Sequence, residues 1–168
     1  MRKVDNNSMN TQQKQQKGFT IIEVILVLAI AALIFLMVFI AVPALNSGQR
    51  DTARKQDVGT VASAIQNYVS NNQGTFPSTT NLTGVASGAL QATGGYVNKS
   101  TVSNNTKTVT VLTAATTTIT PTQGTITIED GYKCSAGGAS ETVAASASNF
   151  VVVTYLETGG GQAFCQTS

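Results

Sequence analysis

The sequence predicts an α+β chain, with one long N-terminal α-helix followed by a small C-terminal antiparallel β-sheet head. Three observations carry this prediction. An apolar run over residues 19–45 contains one charge, Glu23, and one proline, Pro43. Beyond it, Val58, Val61, Ala62, Ile65, Tyr68 and Val69 recur at spacings of three and four, a single apolar stripe on an otherwise polar helix. After Pro77 the periodicity changes, and short runs alternate Thr with aliphatic residues, as half-buried strands do.

Taken in order, residues 1–18 form a polar leader without a core of its own. They carry Arg2, Lys3, Lys14 and Lys17 against Asp5, whereas the remaining chain has six basic and seven acidic groups. The basic balance therefore belongs to the leader, and the rest gives no footprint for specific nucleic-acid binding. Residues 24–42 as a helix span about 28 Å, the thickness of a bilayer core. The basic flank lies N-terminal to them, which keeps the leader in the cytoplasm and exports the C-terminal remainder. The chain is thus expected to be a single-pass protein of the cytoplasmic membrane, with lipid as its first partner. A secretory signal would have a shorter apolar stretch and a small-residue cleavage site, and the proline within Ala41-Val42-Pro43-Ala44 argues against cutting there. A plain signal-anchor helix fits the apolar run but leaves Glu23 unexplained.

The helix continues as an amphipathic segment over 46–74, where Asp51 and Lys55 are spaced for an i,i+4 pair. Pro43 and Gly48 are its weak points, which predicts a kink or an unwound stretch over 41–48. Helical signals stop at Asn71-Asn72-Gln73-Gly74. The head occupies 75–168. Residues 78–106 read as a long loop with a short helix near 82–92. Strands are expected at 108–112, 125–128, 131–135, 150–157 and 162–165. Gly159-Gly160-Gly161 makes the last hairpin turn, and a Gly/Ala/Ser connection fills 136–148. Cys134 and Cys165 are an even pair in an exported domain and read as a disulfide.

Glu23 is the informative residue. A charge costs about 2.5–3.5 kcal/mol at the bilayer centre on insertion scales. A positive charge at the same depth offsets that cost, and cleavage between Gly18 and Phe19 would create one as a free α-amino group. Apolar side chains alone give lipid-embedded helices little reason to associate, because lipid is equally apolar. An acid that seeks another chain's amine supplies one. Such a contact is head-to-tail, so it propagates into a helical polymer and does not close as a dimer.

Lys17-Gly18-Phe19-Thr20-Ile21-Ile22-Glu23, with the apolar helix after it, resembles the processing signal of type IV pilins and pilin-like proteins. The resemblance directly covers about 30 residues. It implies that prepilin peptidase cuts after Gly18 and methylates the amine of Phe19. It implies that Glu23 meets the Phe19 amine of a neighbouring subunit, and that an inner-membrane assembly platform adds subunits to the fibre. The expected function is structural: a type IV pilus-like filament at the cell surface for adhesion, surface motility or DNA uptake. Two alternatives remain open, a pseudopilin of a type II secretion or competence system, and a monomeric signal-anchored surface domain that binds a ligand.

Catalysis is not expected. The chain has no His, and no nucleophile–base constellation can be traced in it. No cofactor and no metal site are anticipated either. Glu129-Asp130 lacks the further oxygen ligands that calcium requires and reads as a solvated turn before Gly131.

Overall fold

The computed structural model describes residues 18–112, 118–136 and 138–168. Of the leader expected over 1–18, residues 1–17 lie outside them. Contacts divide the chain into two compact units, with the boundary between Ile40 and Ala41.

Helix α1, Ile21–Asn71, passes through both units. In the first unit it is the only regular element among the described residues. It is continuous through Pro43 and Gly48, so the stretch 41–48 is helical and not unwound. Around the proline the helix is held locally: the Ser47 hydroxyl donates to the Ala44 carbonyl at 2.9 Å, and that of Thr52 to the Gly48 carbonyl at 2.9 Å. The helix ends where expected. The Gly74 amide donates to the Val69 carbonyl at 2.9 Å, and the Asn72 side chain donates to the Tyr68 carbonyl at 2.8 Å.

The second unit is the head. Helix α2, Thr79–Thr83, starts at Ser78, whose side chain accepts from the Asn81 amide. It lies a few residues before the helix expected near 82–92, because this cap sets its start and Gly84 ends it. The strands are β1 (Thr108–Leu112), β2 (Thr125–Asp130), β3 (Tyr132–Ser135), β4 (Gly138–Ala144), β5 (Phe150–Tyr155) and β6 (Ala163–Thr167). A four-stranded sheet runs β1-β2-β5-β6, and β3-β4 forms a separate hairpin. The sheet is antiparallel except at β1 and β2, which run parallel from Thr108↔Thr125 to Leu112↔Glu129. The connection over 113–124 is long enough for the crossover that a parallel pair needs. The sheet is thus antiparallel-rich, as expected, with one parallel pair. Strand β4 falls inside the stretch read as a connection.

The sheet buries both faces. On one, Val109, Val111, Ile126, Ile128, Phe150 and Val152 share a core with the helix stripe Val58, Val61, Ala62 and Ile65. The apolar stripe is therefore head core, as its spacing implied. Leu82, Leu90, Val97 and Val102 from the long loop join the same core, which is why that loop is ordered. The close approach of Gly95 to this segment excludes a side chain, since a Cβ there would lie 2.4 Å from the Leu82 carbonyl oxygen. On the other face, Val151, Val153 and Ile119 pack with Leu112, Tyr132, Cys134 and Cys165. A disulfide joins Cys134 to Cys165 across 31 residues and ties the β3-β4 hairpin to the edge strand β6.

Candidate functional site

Thr20 and Glu23 cap the start of α1. The Thr20 amide donates to Glu23 Oε2 at 2.9 Å, and the Thr20 hydroxyl donates to the same oxygen at 2.8 Å. In return the Glu23 amide reaches Thr20 Oγ1 at 3.4 Å and the Thr20 carbonyl at 3.1 Å. This reciprocal arrangement is a capping box. Thr20-Ile21-Ile22-Glu23 has the spacing that predicts it, a signal hidden inside the apolar run and missed in reading the sequence. Lipid cannot hydrogen-bond the open amides of a helix start, so the box has most value in the membrane. The acid also lies at the positive end of the helix dipole. Glu23 is thus not bare, as the sequence alone suggested. Both bonds go to Oε2, and Oε1 has no hydrogen-bond partner among the described residues.

Beside this cap, Phe19 is 90% exposed. Every large apolar side chain over 19–45 is exposed as well. The helix is long and apolar enough in this stretch to cross a membrane, and none of its most apolar window is buried. An apolar surface of this extent needs lipid or other protein to cover it.

The helix is treated differently from Asp51 onward. Asp51, Arg54 and Asp57 are buried against the head. Asp51 accepts from the amides of Glu157 and Thr158, both at 2.8 Å, and from the Thr158 hydroxyl at 2.6 Å. It also pairs with Arg54 at 3.0 Å, at i,i+3. The expected pairing with Lys55 is therefore replaced. The loop after β5 takes the carboxylate, and Lys55 lies over the Phe164 ring at 5.4 Å from its centroid. Glu157 binds both Arg50 and Arg54 and accepts from Gln123 at 3.0 Å. The arginine hydrogen bonds hold its carboxyl at about 2. Burial alone would raise the Asp51 carboxyl, but the Thr158 and Glu157 hydrogen bonds outweigh it and leave it below the ordinary value. Asp57 accepts from the Ser103 amide at 2.7 Å and from the hydroxyls of Ser103 and Thr106 at 2.6 Å. Four charged side chains of one helix, Arg50, Asp51, Arg54 and Asp57, thus clasp two loops of the head.

Glu129-Asp130 departs from the solvated turn expected there. Glu129 is only 2% exposed, and its carboxylate accepts from the Thr142 hydroxyl of β4 at 3.0 Å. Its place within β2 turns it under the hairpin, while Asp130 stays exposed and Gly131, with φ 77°, makes the reversal into β3. Among the described residues no cluster of His, Cys, Asp or Glu could hold a metal ion.

A capped acid at the start of an apolar helix long enough to cross a membrane, together with an α+β head, fits a membrane-anchored protein. Residues 13–39 match the family model of the prokaryotic N-terminal methylation motif, the hallmark of type IV pilins and prepilin-like proteins. The chain thus carries this motif near its N-terminal end and has an α+β, pilin-like layout. No curated protein and no solved structure matches it significantly.

Proposed function

We propose that the chain is the structural subunit of a type IV pilus-like surface filament, serving adhesion, surface motility or DNA uptake. Prepilin peptidase removes residues 1–18, the new amine at Phe19 is methylated, and the inner-membrane platform moves the subunit from lipid into the fibre. Residues 19–45 become the filament core and the head becomes its surface. Pro43 and Gly48 mark where α1 bends most easily, since Pro43 removes one backbone donor.

The observation that supports this most strongly is the state of Glu23. One carboxylate oxygen is occupied by the cap and the other is open. The Phe19 amine of a neighbouring subunit can take the open oxygen without undoing the helix start. Each such pairing brings two exposed apolar helices side by side, and the next subunit repeats it. Replacing Glu23 by Ala tests the reading. The variant is expected to reach the membrane and to be cut normally, while its yield in sheared fibres falls more than tenfold. Wild-type fibre yield would contradict the pairing.

A further inference from the structure

The four-stranded sheet closes one edge and leaves the other open. At β1 the outward side is engaged: the Val109 amide donates to the Gly88 carbonyl at 2.8 Å, the Leu90 amide to the Lys107 carbonyl at 3.1 Å, and the Val111 amide to the Thr79 hydroxyl at 2.8 Å. At β6 it is not. The Leu156 amide donates to the Gln162 carbonyl at 2.7 Å, and the Ser168 amide to the Phe150 carbonyl at 3.0 Å, which fixes the phase of the β5–β6 ladder. Even-numbered residues of β6 therefore bond to β5, and the amides and carbonyls of Ala163, Cys165 and Thr167 point away from the sheet. None of these backbone groups has a hydrogen-bond partner among the described residues, and none of the three residues is buried. The edge also lacks the devices that block strand addition. Strand β6 has no proline and no bulge, and residues 158–168 carry no charge. Beside Ala163 the surface opens into a cleft of about 380 Å³ whose lining, Thr118, Thr120, Ser140 and Gln162 included, has no charged side chain.

We propose that this edge binds the same edge of a second copy of the chain, β6 to β6, in an antiparallel register centred on Cys165. All the open groups lie on odd-numbered positions. Setting Cys165 opposite its counterpart, and Ala163 opposite Thr167, lets each of these residues exchange both bonds with its mate. A charged edge would face the same charge in its own copy, whereas this one meets itself without repulsion. The contact is isologous and closes as a pair. It is separate from the head-to-tail contact at Glu23 and does not depend on it. A strand of five residues gives a weak contact by itself, and confinement of the chains to one membrane raises their effective concentration.

The test uses the full-length chain in detergent micelles at rising protein-to-detergent ratio, with amide exchange along β6 followed by NMR. At the lowest ratio, Ala163, Cys165 and Thr167 are expected to exchange at least tenfold faster than Phe164 and Gln166. At the highest ratio they slow by about tenfold or more, while Phe164 and Gln166 stay slow throughout. Ala163→Pro removes an outward N–H and no bond to β5, and proline is tolerated at the first residue of a strand. In this variant Cys165 and Thr167 stay fast at every ratio. Gln166→Lys sets two ammonium groups diagonally across the pair and gives the same result without altering the backbone. Outward amides that exchange at one rate at all ratios overturn the proposal. So does a slowing that survives in both variants, which would put the contact elsewhere on the chain.

Discussion

The Thr20 hydroxyl donates to Glu23 Oε2 at 2.8 Å, so the acid of the apolar helix is already engaged within its own chain. The contact joins two requirements in one residue. Glu23 closes the helix start, where lipid offers no hydrogen bonds, and in the proposed assembly its other oxygen takes a neighbour's amine.

Thr20→Val therefore removes the cap while leaving the acid in place. The expected loss is about 1 kcal/mol at the helix start. Amide exchange at residues 22–24 in micelles should quicken several-fold, and Thr20→Ser should restore the wild-type rate. Unchanged exchange in Thr20→Val would show that the box does not hold this end.

Asp51→Ala is predicted to be among the most destabilising single changes in the head. It removes the acceptor for two amides, a hydroxyl and the buried Arg54. Arg54 then keeps only Glu157, and breaking a buried pair of this kind costs about 3–5 kcal/mol. Lys55→Ala should cost under about 1 kcal/mol, since only the contact with the Phe164 ring is lost. Urea unfolding of both variants in micelles measures the difference.

Acid should weaken the clasp. The Glu157 carboxyl lies at about 2, against 4.5 for an ordinary glutamate. A folded value below the unfolded one gives stability that is fully present above about pH 4.5 and lost as pH falls towards 2. Glu157→Gln should be less stable than wild type at neutral pH and should lose less on acidification through that window. Asp51, also depressed, keeps some acid dependence in the variant. Unfolding midpoints measured from pH 7 to pH 2 give the comparison.

Removing the disulfide tests what holds the hairpin. The bridge closes a loop of 31 residues, for which chain entropy gives about 3–4 kcal/mol. In Cys134→Ala with Cys165→Ala, denaturant stability should fall by that order. Amide exchange should rise first in β3 and β4, which join the sheet through this bridge and through few hydrogen bonds, such as Cys134 amide to Thr167 hydroxyl at 3.0 Å.

How much of the fold is legible in the sequence depends on how local each signal is. Strand β1 carries its own alternation of Thr with Val and Leu, and its bounds agree with that pattern. The helix end and the stripe from Val58 are likewise local, because caps and periodicity act within a few residues. Strand β4 escapes a sequence reading because Gly138–Ala144 has Val143 as its only large aliphatic residue, and its pairing is set by β3. The parallel pairing of β1 with β2 depends on a crossover and leaves no mark in either strand. At the N-terminal site, Glu23 stands out because it is a charge among apolar residues. Its partner Thr20 does not, since a Thr in an apolar run looks ordinary. Spacing alone assigns Asp51 to Lys55, whereas folding brings Glu157 and Thr158 from more than a hundred positions away.

In the proposed assembly, cutting after Gly18 frees the Phe19 amine to meet Glu23 of a neighbouring subunit. The most direct measurement is the intact mass and N-terminal sequence of the protein recovered from sheared cell-surface fibres. The expected chain begins at N-methylated Phe19. Fibres built of chains that still carry Met1, or that begin after Ala44, would contradict it.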